Sequence, residues 1–260
     1  VARRTFRATG VLPGRADAAA CFAALLFVVH PLQTESVTYV ISRSELLMAL
    51  CYLGTLDLVL LAESRPSRRS VLWVLAVAVC ALGMLAKPVM VTAPLAVWWL
   101  SWWVLTPPTR PRLTFASMPP APEVPRRWPL HLGLCATWVV LAVLFADRSH
   151  PGAGFDIGIE PLEYLRTQFG VTWHYFRLLV WPVGQLLDYD WPLAAHWLEP
   201  AVLVPAFGWL LLLGALVRLA RRGRRAATFW LGFALLVLLP SSSVIPIADV
   251  VFEHRMYLSV

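Results

Sequence analysis

The chain has 260 residues, of which 59% are hydrophobic and only 14% are charged, and its net charge is +7. Soluble domains are about half apolar and about a quarter charged, so this composition excludes an ordinary soluble domain and indicates an integral membrane protein. The positive charge does not indicate nucleic-acid binding, because the arginines cluster in short polar linkers between apolar runs, as cytoplasmic loops do.

Seven apolar runs predict an all-α, polytopic transmembrane helix bundle that forms a single domain over residues 1–260. A helix needs about 20 apolar residues to cross the hydrocarbon core. The third and fourth runs meet in a tight hairpin, since Pro88 cannot continue the preceding helix without losing a hydrogen bond. Because the chain starts at Val1 and stops at Val260 without a tail, we expect a fragment of a longer protein. The predicted spans are 16–31, 44–62, 71–87, 88–106, 128–146, 201–219 and 226–247.

The distribution of charge predicts the orientation of these spans. With residues 1–15 in the cytoplasm, 16 of the 22 Lys and Arg residues fall on that side, and 11 of the 15 acidic residues fall on the other. This agrees with the positive-inside rule. The Pro- and Arg-rich segment 107–127 is then a cytoplasmic loop, and 147–200 is an outer loop. Within the outer loop, residues 160–182 predict a helix that lies in the interface or a short re-entrant one, because a full crossing there would place the Arg cluster of 221–225 outside.

Polar residues that are unusual for a membrane protein gather on the predicted outer side. Charges near a bilayer are costly, so their presence at one depth predicts a polar pocket that opens outward. Each residue also has a simpler interpretation: a helix cap, a loop ion pair, a lysine that reaches lipid headgroups, a plain turn, or the start of a soluble domain. The sequence leaves two interpretations of Asp57, which lies inside a predicted span: a helix–helix hydrogen bond or a functional carboxylate. The candidate binding residues are His30, Glu35, Arg43, Lys87, Asp190, Glu253, His254, Arg255 and Tyr257.

An outward pocket with cations and carboxylates suits a lipid-linked phosphate donor. Lys and Arg at headgroup depth would bind the phosphate and stabilise its charge as it leaves. A nearby carboxylate could take the proton of an acceptor hydroxyl. Transporters also use buried polar groups, commonly in repeated halves, but the chain has no internal repeat.

Four motifs in order resemble the membrane domain of TMTC-type protein O-mannosyltransferases and their bacterial relatives. They are "ALLFVVHPLQTESVTYVISRSELL" (24–47), "LGMLAKPVMVTAPL" (82–95), "LLDYDWP" (186–192) and "VFEHRMYLSV" (251–260). The first and last are fairly specific, whereas a lysine in a hairpin is a weak signal. These relatives have the GT-C glycosyltransferase fold, followed by an array of tetratricopeptide repeats.

The resemblance implies a glycosyltransferase of EC class 2.4 that moves a mannose-type sugar from a polyprenyl-phosphate donor to a protein or glycan acceptor. The reaction would take place on the periplasmic face of a bacterial inner membrane. Lys87 and Arg255 would contact the donor phosphate. His30, Glu35 and Arg43 would shape the pocket, with Glu253 and Tyr257 at its rim, and Asp190 and His254 complete the binding set.

Two departures from the family pattern matter. Pro88 stands where the family often has Glu after the lysine. The family's aspartate base lies on a loop that would precede Val1, so we expect the catalytic base outside this chain. No residue is assigned to a metal, and whether a divalent metal assists stays open. The alternatives are a transporter or flippase of a lipid phosphate, and a non-catalytic membrane anchor for a tetratricopeptide-repeat protein.

The predicted orientation can be tested by cysteine accessibility. In a variant without other cysteines, Lys87→Cys is expected to react with a membrane-impermeant maleimide added from outside, and Arg68→Cys only after the cytoplasmic face is exposed. Labelling of position 87 from the cytoplasmic side alone would reverse the orientation.

Overall fold

The computed structural model describes residues 1–106, 124–146 and 158–259, and within these ranges the regular secondary structure is helical. Short 3₁₀ turns at Val40–Ser42, Pro66–Arg68, Pro88–Thr92 and Glu253–Met256 connect or extend the longer elements. The α-helices are α1 (Ala2–Ala8), α2 (Pro13–Val29), α3 (Gln33–Thr38), α4 (Arg43–Ser64), α5 (Arg69–Ala86), α6 (Ala93–Leu100), α7 (Val124–Ala136), α8 (Trp138–Ala146), α9 (Pro161–Val180), α10 (Pro200–Arg221) and α11 (Arg225–Leu238).

Five helical segments in the described ranges are long and apolar enough to cross a membrane, which confirms the all-α membrane class. They coincide with the five predicted spans from 44–62 to 201–219. The segments are Arg43–Ser64, Pro66–Ala86, Pro88–Leu105, Arg127–Leu144 and Pro200–Arg221.

The first and last predicted spans correspond to shorter helices. Helix α2 has 17 residues and α11 has 14, below the roughly 20 that a straight crossing requires. The prediction of a span over 226–247 was too long, because α11 ends at Leu238. Pro240 disfavours helical geometry in the residue before it, and turns follow it.

Helices α4 and α5 form an antiparallel hairpin that gives the bundle two distinct ends. At one end, Glu45 near the start of α4 pairs with Lys87 after α5. At the other, the Glu63 carboxylate accepts two hydrogen bonds from the Arg127 guanidinium, each of 3.1 Å. We call the first the lysine end and the second the arginine end.

The segment Pro88–Leu105 is irregular and is fixed by contacts with α11. After a 3₁₀ turn and α6, it finishes in a π-helical turn, Ser101–Leu105. The Arg225 guanidinium donates to the carbonyls of Trp103 and Val104, both at 2.9 Å, and to that of Thr106. These bonds satisfy carbonyls at a helix end that would otherwise lack partners, and they hold α11 against this segment.

Two predicted loops lie partly outside the described residues. Of the predicted loop 107–127, residues 107–123 are outside, and the remainder belongs to α7. The predicted outer loop 147–200 is described from residue 158 and contains α9, so the helix predicted at 160–182 is confirmed as a helix, while its position in a membrane stays a prediction. All four cysteines are free; Cys51 and Cys80 are buried, and Cys21 and Cys135 lie on the surface.

Gly83 of α5 allows the close approach of the 3₁₀ turn that follows Lys87. A Cβ atom there would lie 2.8 Å from Met90 Sδ and 2.9 Å from Cys51 Cβ. We expect Gly83→Ala to lower the free energy of unfolding by about 1–3 kcal/mol through overpacking, seen as a lower thermal midpoint in detergent.

Gly214 of α10 provides the matched control, because a Cβ there has no heavy atom within 4 Å. Gly214→Ala should leave the midpoint unchanged or raise it. Equal effects of the two substitutions would contradict the packing at Gly83.

Candidate functional site at the lysine end

Three consecutive side chains of the turn Glu253–Met256 reach three different parts of the structure. A 3₁₀ helix has three residues per turn, so successive side chains point about 120° apart. Glu253 faces residues 185–189, His254 faces α3, and Arg255 faces the loop after α11. Through this turn the last described residues hold the lysine end together.

His254, Glu35, Glu45 and Lys87 form a connected polar cluster, which we call the Lys87 cluster. His254 Nδ1 lies 2.7 Å from Glu35 Oε1, and the His254 backbone N–H donates to Glu35 Oε2 at 2.9 Å. His254 Nε2 lies 4.0 Å from Glu45 Oε1, the same oxygen that accepts from the Lys87 ammonium. The sequence separates these residues widely, and the fold brings them to one place.

Burial in the Lys87 cluster is graded. The side chain of Glu45 is 3% exposed, whereas that of Lys87 is 25% exposed and that of His254 is 14% exposed. The carboxylates therefore form the floor of the cluster, while the side chains of Lys87 and His254 are partly exposed. A charge so placed needs a partner, because removal from water costs several kcal/mol per ion.

Glu253 anchors the segment that precedes α10. Its buried carboxylate accepts hydrogen bonds from Gln185 Nε2 at 2.5 Å, from the Leu186 backbone N–H at 3.0 Å, and from the Tyr189 hydroxyl. Burial, and next the hydrogen bond to Glu253, raise the pKa of the Tyr189 hydroxyl well above its usual value. Tyr189 thus stays a protonated donor at neutral pH.

Arg255 is a support for the backbone rather than an open anion site. It is 9% exposed, and its guanidinium donates to the carbonyl of Asp249 at 2.6 Å and to that of Val250 at 3.0 Å. The Tyr164 hydroxyl is a further partner at 3.3 Å. The sequence interpretation paired Arg255 with Lys87 on a donor phosphate, but in the structure its donors already bind the loop after α11.

His30 and Tyr257 also have local partners. His30 Nδ1 accepts the Leu32 backbone N–H at 3.2 Å, and its Nε2 lies 3.0 Å from the Leu179 carbonyl. Nδ1 thus stabilises the turn that follows α2, and Nε2 joins the end of α2 to the end of α9. The Tyr257 carbonyl accepts from Gln33 Nε2 at 3.3 Å, and its ring packs on Phe27. These contacts favour the simpler, structural interpretation of both residues.

The remaining predicted residues, Arg43 and Asp190, are exposed at the lysine end and take no part in the hydrogen bonds of the Lys87 cluster. The predicted set lacked Glu45. Its signal was a lone carboxylate at the start of an apolar helix, which in a membrane protein marks a paired or functional group.

A cavity of about 460 Å³ lies at the arginine end, away from the Lys87 cluster. Arg4 donates to Asp57 there at 2.9 Å. Asp57, which the sequence left open, is thus an ion-pair partner of α1. The cavity is lined by Val1, Arg3, Arg4, Arg7, Ala8, Asp57, Leu60, Glu63, Ser64 and Leu105.

No protein-family model matches the chain, and no curated protein or solved structure gives a significant match. A role for the lysine end therefore has to be inferred from its chemistry and from the motif resemblance. Among the described residues, no group of three or more His, Cys, Asp or Glu side chains is arranged to hold a metal ion.

The contact between Tyr189 and Glu253 predicts a specific loss of stability in alkali. Because folding raises the pKa of Tyr189 above the reference of about 10, the phenol ionises first in the unfolded state. Its stabilising contribution is complete below about pH 10 and is lost as the pH rises further. Wild type is therefore expected to lose more thermal stability than Tyr189→Phe between about pH 9 and 11.

Tyr39→Phe is the matched control, because Tyr39 is an exposed tyrosine at the same end. This variant should follow the wild-type pH dependence. Parallel curves for wild type and Tyr189→Phe would show that Tyr189 does not titrate differently in the folded protein.

Proposed function

We propose that the protein is an integral membrane glycosyltransferase whose Lys87 binds the phosphate of a polyprenyl-phosphate sugar. The donated sugar, mannose-type by the motif resemblance, passes to a hydroxyl of a protein or glycan. The observation that carries this proposal is the Lys87 cluster: a partly exposed lysine, fixed by a buried carboxylate, beside a partly exposed histidine at one end of a membrane bundle.

The fixed position of Lys87 supports phosphate binding. Its ammonium carries three N–H donors, and the buried Glu45 carboxylate orients the ammonium by accepting a hydrogen bond from it. A donor phosphate entering from the accessible side would meet the remaining donors. Cations that are already in place where negative charge develops stabilise a leaving phosphate without further rearrangement. The exposed guanidinium of Arg43, two residues before Glu45, adds positive charge at the same end.

The membrane context supports a lipid-linked donor. The described helices that are long enough to cross a membrane bring Lys87 to an end of the bundle, where a phosphate headgroup of a lipid would lie. We place this end on the periplasmic side of a bacterial inner membrane, because the positive-inside rule assigns the arginine end to the cytoplasm. We further propose that α2 and α11 complete seven crossings in a GT-C-like arrangement.

The proposal is tested by incubating membranes that contain the full-length protein with radiolabelled polyprenyl-phosphate mannose. Labelled protein or glycan is expected with wild type. Lys87→Ala is expected to reduce transfer at least about a hundredfold, the typical cost of losing one group that stabilises transition-state charge. Sugar transfer at the wild-type rate by Lys87→Ala would contradict the proposal.

Two controls separate loss of catalysis from loss of folding or transport. Lys87→Ala leaves Glu45 buried and unpaired, so the double variant Lys87→Gln/Glu45→Gln, which removes both charges, should insert and fold yet remain inactive. Arg218→Ala, at the arginine end of α10, should transfer sugar normally. Passage of the lipid across proteoliposomes without a covalent product would instead identify a flippase.

A further inference from the structure

His254 has the surroundings of a proton acceptor. Its Nδ1 faces Glu35 Oε1 at 2.7 Å, so the ring donates its Nδ1–H to that carboxylate. In the neutral ring the other nitrogen, Nε2, then carries the lone pair. Nε2 faces Glu45 at 4.0 Å, beyond hydrogen-bond distance.

Both oxygens of the Glu35 carboxylate bind His254 and so fix the orientation of its ring. Oε1 accepts the ring Nδ1–H, and Oε2 accepts the His254 backbone N–H at 2.9 Å. A carboxylate bonded to Nδ1–H selects the tautomer with a free Nε2 and stabilises the imidazolium that forms when Nε2 takes a proton. Glu35 is buried, so this support is shielded from water.

The charged groups that face His254 come from three elements. Glu35 belongs to α3, Glu45 belongs to α4, and Lys87, which follows α5, contacts the same Glu45 oxygen that lies near Nε2. A phosphate bound by Lys87 would therefore be close to Nε2. Arg255 points away, toward the carbonyls of Asp249 and Val250.

We propose that His254, positioned by Glu35, is the catalytic base that takes the proton from the acceptor hydroxyl. This inference rests on the proposed function and places the base within this chain rather than before Val1. The acceptor oxygen attacks the anomeric carbon of the sugar while its proton passes to His254 Nε2. The bond between the anomeric carbon and the phosphate oxygen breaks, and the polyprenyl phosphate leaves with that electron pair beside Lys87.

The two carboxylates of the cluster are less suited to this step. Both oxygens of Glu35 are engaged by His254, and Glu45 is almost fully buried and holds Lys87. Of the three side chains, that of His254 is the most exposed, at 14% against 6% for Glu35 and 3% for Glu45.

The test compares transfer from radiolabelled polyprenyl-phosphate mannose by wild type, His254→Gln and His254→Ala over a range of pH. Wild-type transfer should fall in acid, because an imidazole that already holds a proton cannot accept another. His254→Gln, whose amide can still donate to Glu35, is expected to fold and to lose about 10²–10⁴-fold in rate, the usual contribution of a general base. The residual rate should no longer fall in acid.

Added imidazole should restore part of the rate of His254→Ala. His196→Gln, an exposed histidine of the outer segment, should behave as wild type. Either a wild-type rate in His254→Gln, or a reduced rate that keeps the acid limb and does not respond to imidazole in His254→Ala, would overturn the assignment. If wild type then transfers sugar and Lys87→Ala does not, the proposed function stands without His254 as its base. If wild type transfers no sugar, the proposed function and the assignment of His254 both fail.

Discussion

The short turn Glu253–Met256 imposes the main constraint on the lysine end. Its three-residue periodicity sends Glu253, His254 and Arg255 in three directions, and each finds polar partners on a different element. A regular α-helix would place neighbouring side chains about 100° apart, whereas this turn spaces them about 120° apart and so directs them to three different elements. Helix α3, the loop after α11 and the segment before α10 are all held by this turn.

Electrostatics explains why the charges of this end are paired so closely. A buried carboxylate without a partner is destabilising by several kcal/mol, and a membrane offers few alternatives to a protein partner. Glu45 meets Lys87, and Glu35 meets His254. Each pairing also fixes the position of its more exposed member, Lys87 in the first pair and His254 in the second. The need to satisfy buried charge therefore produces an arrangement in which an ammonium and an imidazole are presented together.

The two ends of the bundle have different roles. At the arginine end, guanidinium groups join elements: Arg127 binds Glu63 of α4, and Arg225 binds carbonyls of the π-helical turn. At the lysine end, Arg255 does the same for the loop after α11, while Lys87 and His254 keep part of their surface free. Arginine suits the joining role, because its planar guanidinium can donate several hydrogen bonds at once.

The sequence alone determined the class of the protein and the position of most of its helices. Apolar run length and proline position predict the five membrane-length helices, because these are local properties of the chain. The same reasoning overestimated the last span, where Pro240 and the serines after it stop α11 earlier than hydrophobicity suggests. It also placed His30, Glu35, Lys87 and the turn 253–257 on one side, since alternating spans fix which loops share a face.

Only the tertiary structure decided which of these side chains touch. Residues 35, 45, 87 and 254 are far apart in the chain, and no periodicity predicts that Glu45, rather than a ligand, orients Lys87. Likewise, the sequence could not show that the Arg255 guanidinium and the Nε2 atom of His30 bind backbone carbonyls, whereas the ring of His254 does not. Such partnerships depend on distances between helices that pack only once the whole bundle has formed, which is why a local pattern can place a residue at an end but cannot assign its partner.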